Sequence, residues 1–271
     1  IVIGFGFMFT KGMNFGIDFR GGTQVVINMG TDFNKTDVDK IVDEYSKDAV
    51  TNQVNGTELQ IKAKEVNSSQ VNDIFKALKE KYDLKDDALV SQNEIGASVG
   101  RDLTTNAIVA LVIAVIGMLI YVVIRFEFSF GIAAIIALLH DVLITISVYA
   151  VFGITINTPF IAAILTIVGY SINDTIVIFD RIRENRKKLR GKSVEEIADM
   201  SITQTMSRSI NTTLTTLITI VCVYIFVPTV RDFAFPLIVG IASGACSSIF
   251  IASPIWCILA NRQKNKKARN K

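Results

Sequence analysis

Asp174 lies in the run PFIAAILTIVGYSINDTIVIFD (159–180), where an ionisable side chain is out of place. At about 1.5 Å per residue it sits about 22 Å into a helix counted from Pro159, short of the charged end at Asp180 and Arg181. A charge at such depth costs roughly 2.5–3.5 kcal/mol, so it faces a bundle interior or water and takes a partner. An acid held there can bind and release a proton, and that is the first chemistry this chain offers. The structural alternative is an Asp that snorkels to an interface, or one kept neutral by hydrogen bonds to Asn173 and Ser171. The next apolar run supplies Arg208 as a partner. There Gln204, Ser207, Arg208, Asn211, Thr212, Thr215 and Thr219 recur every three or four residues, one polar stripe on a helix and a water-accessible seam. Counted inward from Pro228, Arg208 falls about 30 Å from the outer edge, and its long side chain bridges most of the depth difference to Asp174. An Asp–Arg pair would settle the burial of both. The alternative is that Arg208 only marks the surface end of its helix. His140–Asp141, midway through IIALLHDVLITI, is a second polar interruption. Its imidazole can shuttle protons or simply hydrogen-bond a neighbouring helix, and both readings stand.

Other chemistries find less support. RGKSVEEI (190–197) contains Gly-Lys-Ser, but Arg186 stands where a phosphate loop needs Gly, so no nucleotide site is read. Ser193 and Glu196 instead suit a capping box. No HExxH is present, and GYSIN lacks the Gly two places after Ser that a nucleophile elbow needs, which disfavours an intramembrane hydrolase and any enzyme. Cys222, Cys246 and Cys257 lie inside apolar runs without metal or disulfide spacing. No cofactor or metal is expected, protons being the coupling ion, and the modest net charge of +3 gives no nucleic-acid partner.

The elements that must position these residues are apolar helices. Half of the 271 residues are apolar, yet one long segment near the start is polar, which predicts a polytopic α-helical membrane protein with a folded insert. Apolar runs at 104–124, 129–152, 159–180, 210–228 and 233–259 are each long enough to cross a bilayer. The opening IVIGFGFMFT is too short, so 1–11 is read as the end of a first transmembrane helix that starts before Ile1, or as the seam of a longer fused chain. Six spans result. Dense positive charge in RIRENRKKLRGK and NRQKNKKARNK places the loop 181–205 and the tail 261–271 in the cytoplasm, with both termini. The tail also suits contact with anionic membrane lipids. Residues 104–260 then form the five-helix membrane domain, and 12–103 lie outside. Within 12–103 the patterns of 23–29, 35–49, 50–54, 57–63, 68–82 and 88–95 give β-α-β-β-α-β, the split βαβ order of a small α+β ferredoxin-like domain. Asn55-Gly56 marks its hairpin. Asp18 and Arg20 in NFGIDFRGGTQVV (14–26) share one face of an extended strand. Gly240, Gly244, Ala245, Ser247 and Ser248 give the last span a small-residue packing face.

Taken in order, FGIDFRGGT, LLHDVLIT, GYSINDTIVIFDRIREN and QTMSRSINTTLTT resemble the SecF family of the SecD/SecF group, in the resistance-nodulation-division superfamily, over nearly the whole chain. Four motifs in register are specific where each alone is modest. The first carries the family's Gly16, Asp18, Phe19, Gly21 and Gly22. The resemblance implies a six-span bacterial cytoplasmic-membrane subunit, free or as half of a fused SecDF. It would work with SecD beside the SecYEG channel, using the proton-motive force to draw preproteins outward. By motif, the family's proton-relay acid falls on Asp174 and its Arg on Arg208. A proton-coupled small-molecule exporter of the same superfamily is the competing reading, set back by the small insert and the GIDFRGG signature.

Overall fold

A computed structural model of the chain describes residues 1–54, 56–63, 66, 68–189, 191–227 and 230–269, and, apart from residues 68, 97 and 265–269, their side chains. Asn55 at the expected hairpin tip and Pro228 at one expected span edge lie outside the described residues. The chain divides into two compact units, Phe15–Ile108 and Ile1–Asn14 together with Val109–Lys271.

In the first unit, alternation of apolar and polar residues builds strands β1 (Gly22–Asn28), β2 (Val50–Val54), β3 (Glu58–Ala63) and β4 (Leu89–Ile95). Helical spacing builds α3 (Lys35–Tyr45) and α4 (Ser68–Tyr82). The strands form one sheet, ordered β2-β3-β1-β4, with every neighbouring pair antiparallel. Val25 pairs with Ile61 and Ile27 with Leu59 across β1 and β3. This registers one row of apolar side chains onto Val38 and Val42 of α3 and Val71, Ile74 and Leu78 of α4. All of these are buried, and this row is the core of the unit. Asn34 caps α3 by accepting from the Thr36 amide at 3.0 Å.

The segment before β1 departs from the extended strand expected of it. Ile17–Arg20 is a single helical turn, α2, closed by the Gly21 amide on the Ile17 carbonyl at 2.8 Å. Gly21 and Gly22 then take φ of 73° and 123°, a consecutive pair that lets the chain reverse into β1 and that side chains rarely adopt. Alternation cannot foresee this, because a glycine pair overrides the extended path.

The second unit is helical. After the short apolar helix α1 (Val2–Lys11) come α5 (Ala97–Arg125, shared with the first unit's sequence), α6 (Phe128–Phe152), α7 (Thr158–Lys188), α8 (Val194–Phe226) and α9 (Arg231–Ser247). A π-helical turn, Ser248–Ala252, leads from α9 into α10 (Ser253–Arg269). Among the described residues five helical stretches, the last combining α9 and α10, are long and apolar enough to cross a membrane. α1 is apolar but shorter.

The segment 181–205, expected as a loop carrying a helix capped at Ser193, is almost wholly helix: α7 runs on to Lys188 and α8 starts at Val194. Their charged extensions are held by contacts that hydropathy does not register. Ser193 accepts from the Glu196 amide at 3.1 Å while Glu196 accepts from the Ser193 amide at 2.9 Å, the expected capping box. Asn185 of α7 donates to Ser201 Oγ and Gln204 Oε1 of α8. At the same end, Phe130 of α6 lies 4.7 Å from Phe179 of α7 and stacks at 4.9 Å on Trp256 of α10, all three fully buried.

Candidate functional site

α7 carries Ser171, Asp174 and Thr175 on its buried side, one helical turn apart. The small residues of α9 allow the approach that this requires. A Cβ on Gly244 would lie 3.0 Å from Ser171 Cβ, and one on Gly240 would lie 2.3 Å from Ile167 Cδ1 and 2.9 Å from Thr145 Oγ1. Only glycine lets α9 press this closely against α6 and α7. The small-residue face expected from the sequence is therefore a packing surface, and it is also a polar one.

Asp174 is 5 % exposed. Its Oδ1 accepts from Ser209 Oγ of α8 at 2.7 Å, and its Oδ2 is buried with no hydrogen-bond partner. Beside it, Thr175 Oγ1 and Ser248 Oγ, the first residue of the π turn, share a bond of 2.8 Å. Thr213, one turn beyond Ser209, also holds a buried hydroxyl without a partner. A buried carboxylate oxygen left open costs more than a satisfied one.

Arg208 lies within electrostatic reach of Asp174, but no direct ion pair joins them; the contact from α8 is Ser209, its neighbour. The buried side of α8 is Ser201, Thr205, Ser209 and Thr213, whereas the expected seam of Gln204, Ser207, Arg208, Asn211, Thr212, Thr215 and Thr219 is exposed. The spacing of the stripe is as read, but α8 is rotated so that the small hydroxyls turn inward. Thr212, Thr215 and Thr219 return their hydroxyls to the carbonyl one turn back, at 2.9–3.0 Å. Between α7 and α8 a cleft of about 560 Å³ is lined by Asp180, Arg181, Glu184, Gln204, Thr205 and Arg208, among others.

Asn173 is exposed where its neighbour Asp174 is buried, and its side chain makes no hydrogen bond among the described residues. Ser171 bonds to Asp141 rather than to Asp174. Asp141 is fully buried, and Oγ atoms of Ser171, Ser247 and Ser243 donate to it at 2.6, 2.6 and 2.9 Å, with His140 Nδ1 at 3.1 Å. The structure thus gathers Asp141, Ser171 and Asp174 along one face of α7. It adds Ser209, Ser243, Ser247 and Ser248, which the sequence reading left aside or took as packing. Their one visible signal is spacing: small hydroxyls at helical intervals opposite an acid. In the other unit, Asp18 and Phe19 lie in α2, and Gly100 comes against its turn, where a Cβ would lie 3.0–3.2 Å from Gly21 N, Phe19 O and Asp18 O. Gly100 thus packs against the backbone of the motif's turn.

Residues 74–262 match the family described as protein export membrane protein SecD/SecF, C-terminal, and residues 6–33 match the SecD/SecF GG motif. The chain is 38 % identical to a protein translocase subunit SecF from Petrotoga mobilis, over 95 % of this chain and 89 % of that one. It is 41 % identical to a SecF from Sebaldella termitidis, over 96 % and 86 %. Among solved structures, the crystal structure of SecDF from Thermus thermophilus superposes with a TM-score of 0.87 at 35 % identity, over 96 % of this chain and 36 % of that longer one. The resemblance carried by four motifs is borne out across nearly the whole length: this chain belongs to the SecD/SecF family of protein-export membrane proteins.

Proposed function

We propose that this chain uses the proton-motive force, together with SecD, to promote preprotein translocation through SecYEG. The accessory role in Sec protein translocation follows from family membership. What is proposed beyond it is the coupling and its parts. Asp174 binds and releases the proton. Arg208 moves in to pair with the ionised form. Ser209 transmits the change of state to α8, which shifts relative to α7. The observation that carries this reading is the half-satisfied, buried Asp174, with one oxygen on Ser209 and the other open. The cleft lined in part by Val177 and Arg208 would admit water to within a helical turn of Asp174. Each proton crossing a potential of 100 mV releases roughly 2.3 kcal/mol, enough to drive such a shift.

In this reading the arginine-rich ends of α7 and α8 are cytoplasmic and the Phe15–Ile108 unit is extracytoplasmic, as the positive-inside rule requires. With α1 counted as part of a first span there are six, and the βαββαβ unit is ferredoxin-like. The exposed polar stripe of α8 is the surface that SecD covers. A charged and amide-bearing row such as Gln204, Arg208 and Asn211 is unfavourable against lipid, and SecF and SecD stand as one chain in relatives such as the Thermus thermophilus SecDF.

The test is export of a secreted reporter into membrane vesicles, with and without a proton gradient, for wild type, Asp174→Asn and Arg208→Ala. Both variants should insert normally and lose only the gradient-dependent component. Retention of that component by Asp174→Asn would sink the proposal.

A further inference from the structure

The two buried acids of the bundle are satisfied very differently. Asp174 has one oxygen bonded and one open. Asp141 has both oxygens saturated, Oδ2 by Ser171 and Ser247 and Oδ1 by Ser243 and His140. Three serine hydroxyls and one imidazole nitrogen thus converge on a single carboxyl group, the two closest at 2.6 Å.

The donors come from three different helices. His140 is on α6 with Asp141, Ser171 is on α7, and Ser243 and Ser247 are on α9. Thr145 returns its hydroxyl to the Asp141 carbonyl at 2.9 Å, just where Gly240 of α9 comes closest. From this junction two short paths lead to Asp174. Ser171 precedes it by one turn on α7, and Ser247 precedes Ser248, whose hydroxyl bonds Thr175 beside it. Other charged groups on the packed elements lie farther off: Arg231 and Asp232 in the first turn of α9, and Lys11 at the end of α1. α8 contributes no donor to Asp141 and reaches Asp174 through Ser209.

We infer that Asp141 is a positioning residue: it locks α6, α7 and α9 into one frame through Ser171, Ser243 and Ser247, and leaves α8 as the element that responds to Asp174. The inference rests on Asp174 as the proton carrier. It takes His140–Asp141 as an anchor and not as a relay.

The test is made on the chain assembled with SecD in lipid, with acid-induced infrared difference spectra and gradient-driven export read side by side. Wild type should show a protonated-carboxyl carbonyl band on acidification. That band should vanish in Asp174→Asn and persist in Asp141→Asn. Export in Asp141→Asn should nonetheless fall about ten-fold or more, as expected when a reacting group is misplaced by a fraction of a helical turn. Asp141→Glu, which keeps the charge, should recover part of it. Ser171→Ala removes one donor without touching either acid, guards against misfolding of Asp141→Asn, and should lower export several-fold with the band intact. A band lost in Asp141→Asn and kept in Asp174→Asn would make Asp141 a proton carrier and overturn the inference alone. Unchanged export in both Asp141→Asn and Ser171→Ala would do the same. A band untouched by Asp174→Asn would overturn the coupling reading first, and the inference with it.

Discussion

At the scale of single residues, the contrast between two carboxylates in one bundle turns on counting donors. Burial alone does not separate them, since Asp141 is 0 % and Asp174 5 % exposed. The same logic predicts effects from residues that carry no charge. Gly244→Ala would set a methyl 3.0 Å from Ser171 Cβ and 3.3 Å from its Cα, moving Ser171 off Asp141. Gradient-driven export should drop several-fold, while Gly169→Ala, with nothing within 4 Å of its new methyl, should behave as wild type. Equal activity of the two variants in the vesicle assay would disconnect the serine junction from coupling. Asp174 was legible in the sequence because an acid in a hydrocarbon run needs a reason. Ser209 and Ser243 were not legible, because a serine in an apolar helix looks alike whether it fills space or donates to a carboxylate.

At the scale of elements, α8 holds the clearest lesson about what a pattern can say. Periodicity located its polar residues correctly, yet not the direction in which they face. That direction depends on which side the neighbouring helices press, and here the small side chains of Ser201, Thr205, Ser209 and Thr213 form the buried side. Likewise α7 and α8 outrun their apolar runs because capping and side-chain pairs sustain a helix after hydropathy ends. Ser193→Ala should therefore cost about 1 kcal/mol, seen as faster amide hydrogen exchange confined to the first turn of α8. In the other unit, Lys79 bonds Asp86. That hydrogen bond, then the ammonium charge, holds the Asp86 carboxyl below its usual 3.8. A depressed folded value stabilises above the unfolded one and is lost as pH falls through the folded one. Thermal midpoints of wild type and Asp86→Asn should differ slightly at pH 7, because the pair is exposed, and converge as the pH falls past the usual carboxyl value and through the lower folded one.

At the scale of the whole molecule, the strands and helices of Phe15–Ile108 were legible nearly residue by residue, because alternation and helical spacing each match one buried face. The short turn α2 escaped, since its cause is a pair of glycine φ angles and not a pattern of hydropathy. The core of Val25, Ile27, Leu59, Ile61, Val38, Val42 and Leu78 is complete within that unit. Residues 15–96 expressed alone should accordingly give a cooperative thermal transition and dispersed amide resonances. A collapsed, non-cooperative fragment would show that the fold leans on the helices for its stability.

The outward row of α8 has a further consequence for cell biology. Gln204, Arg208 and Asn211 in a membrane-crossing helix mark an orphan subunit in the way that exposed apolar patches mark an unfolded soluble chain. Synthesis of this chain without SecD should shorten its half-life in pulse–chase measurements, and co-synthesis should restore it. Substituting those three positions with leucine should lengthen the life of the orphan while preventing its assembly. The residues that make the subunit useful in company would then be the ones that mark it for removal when alone.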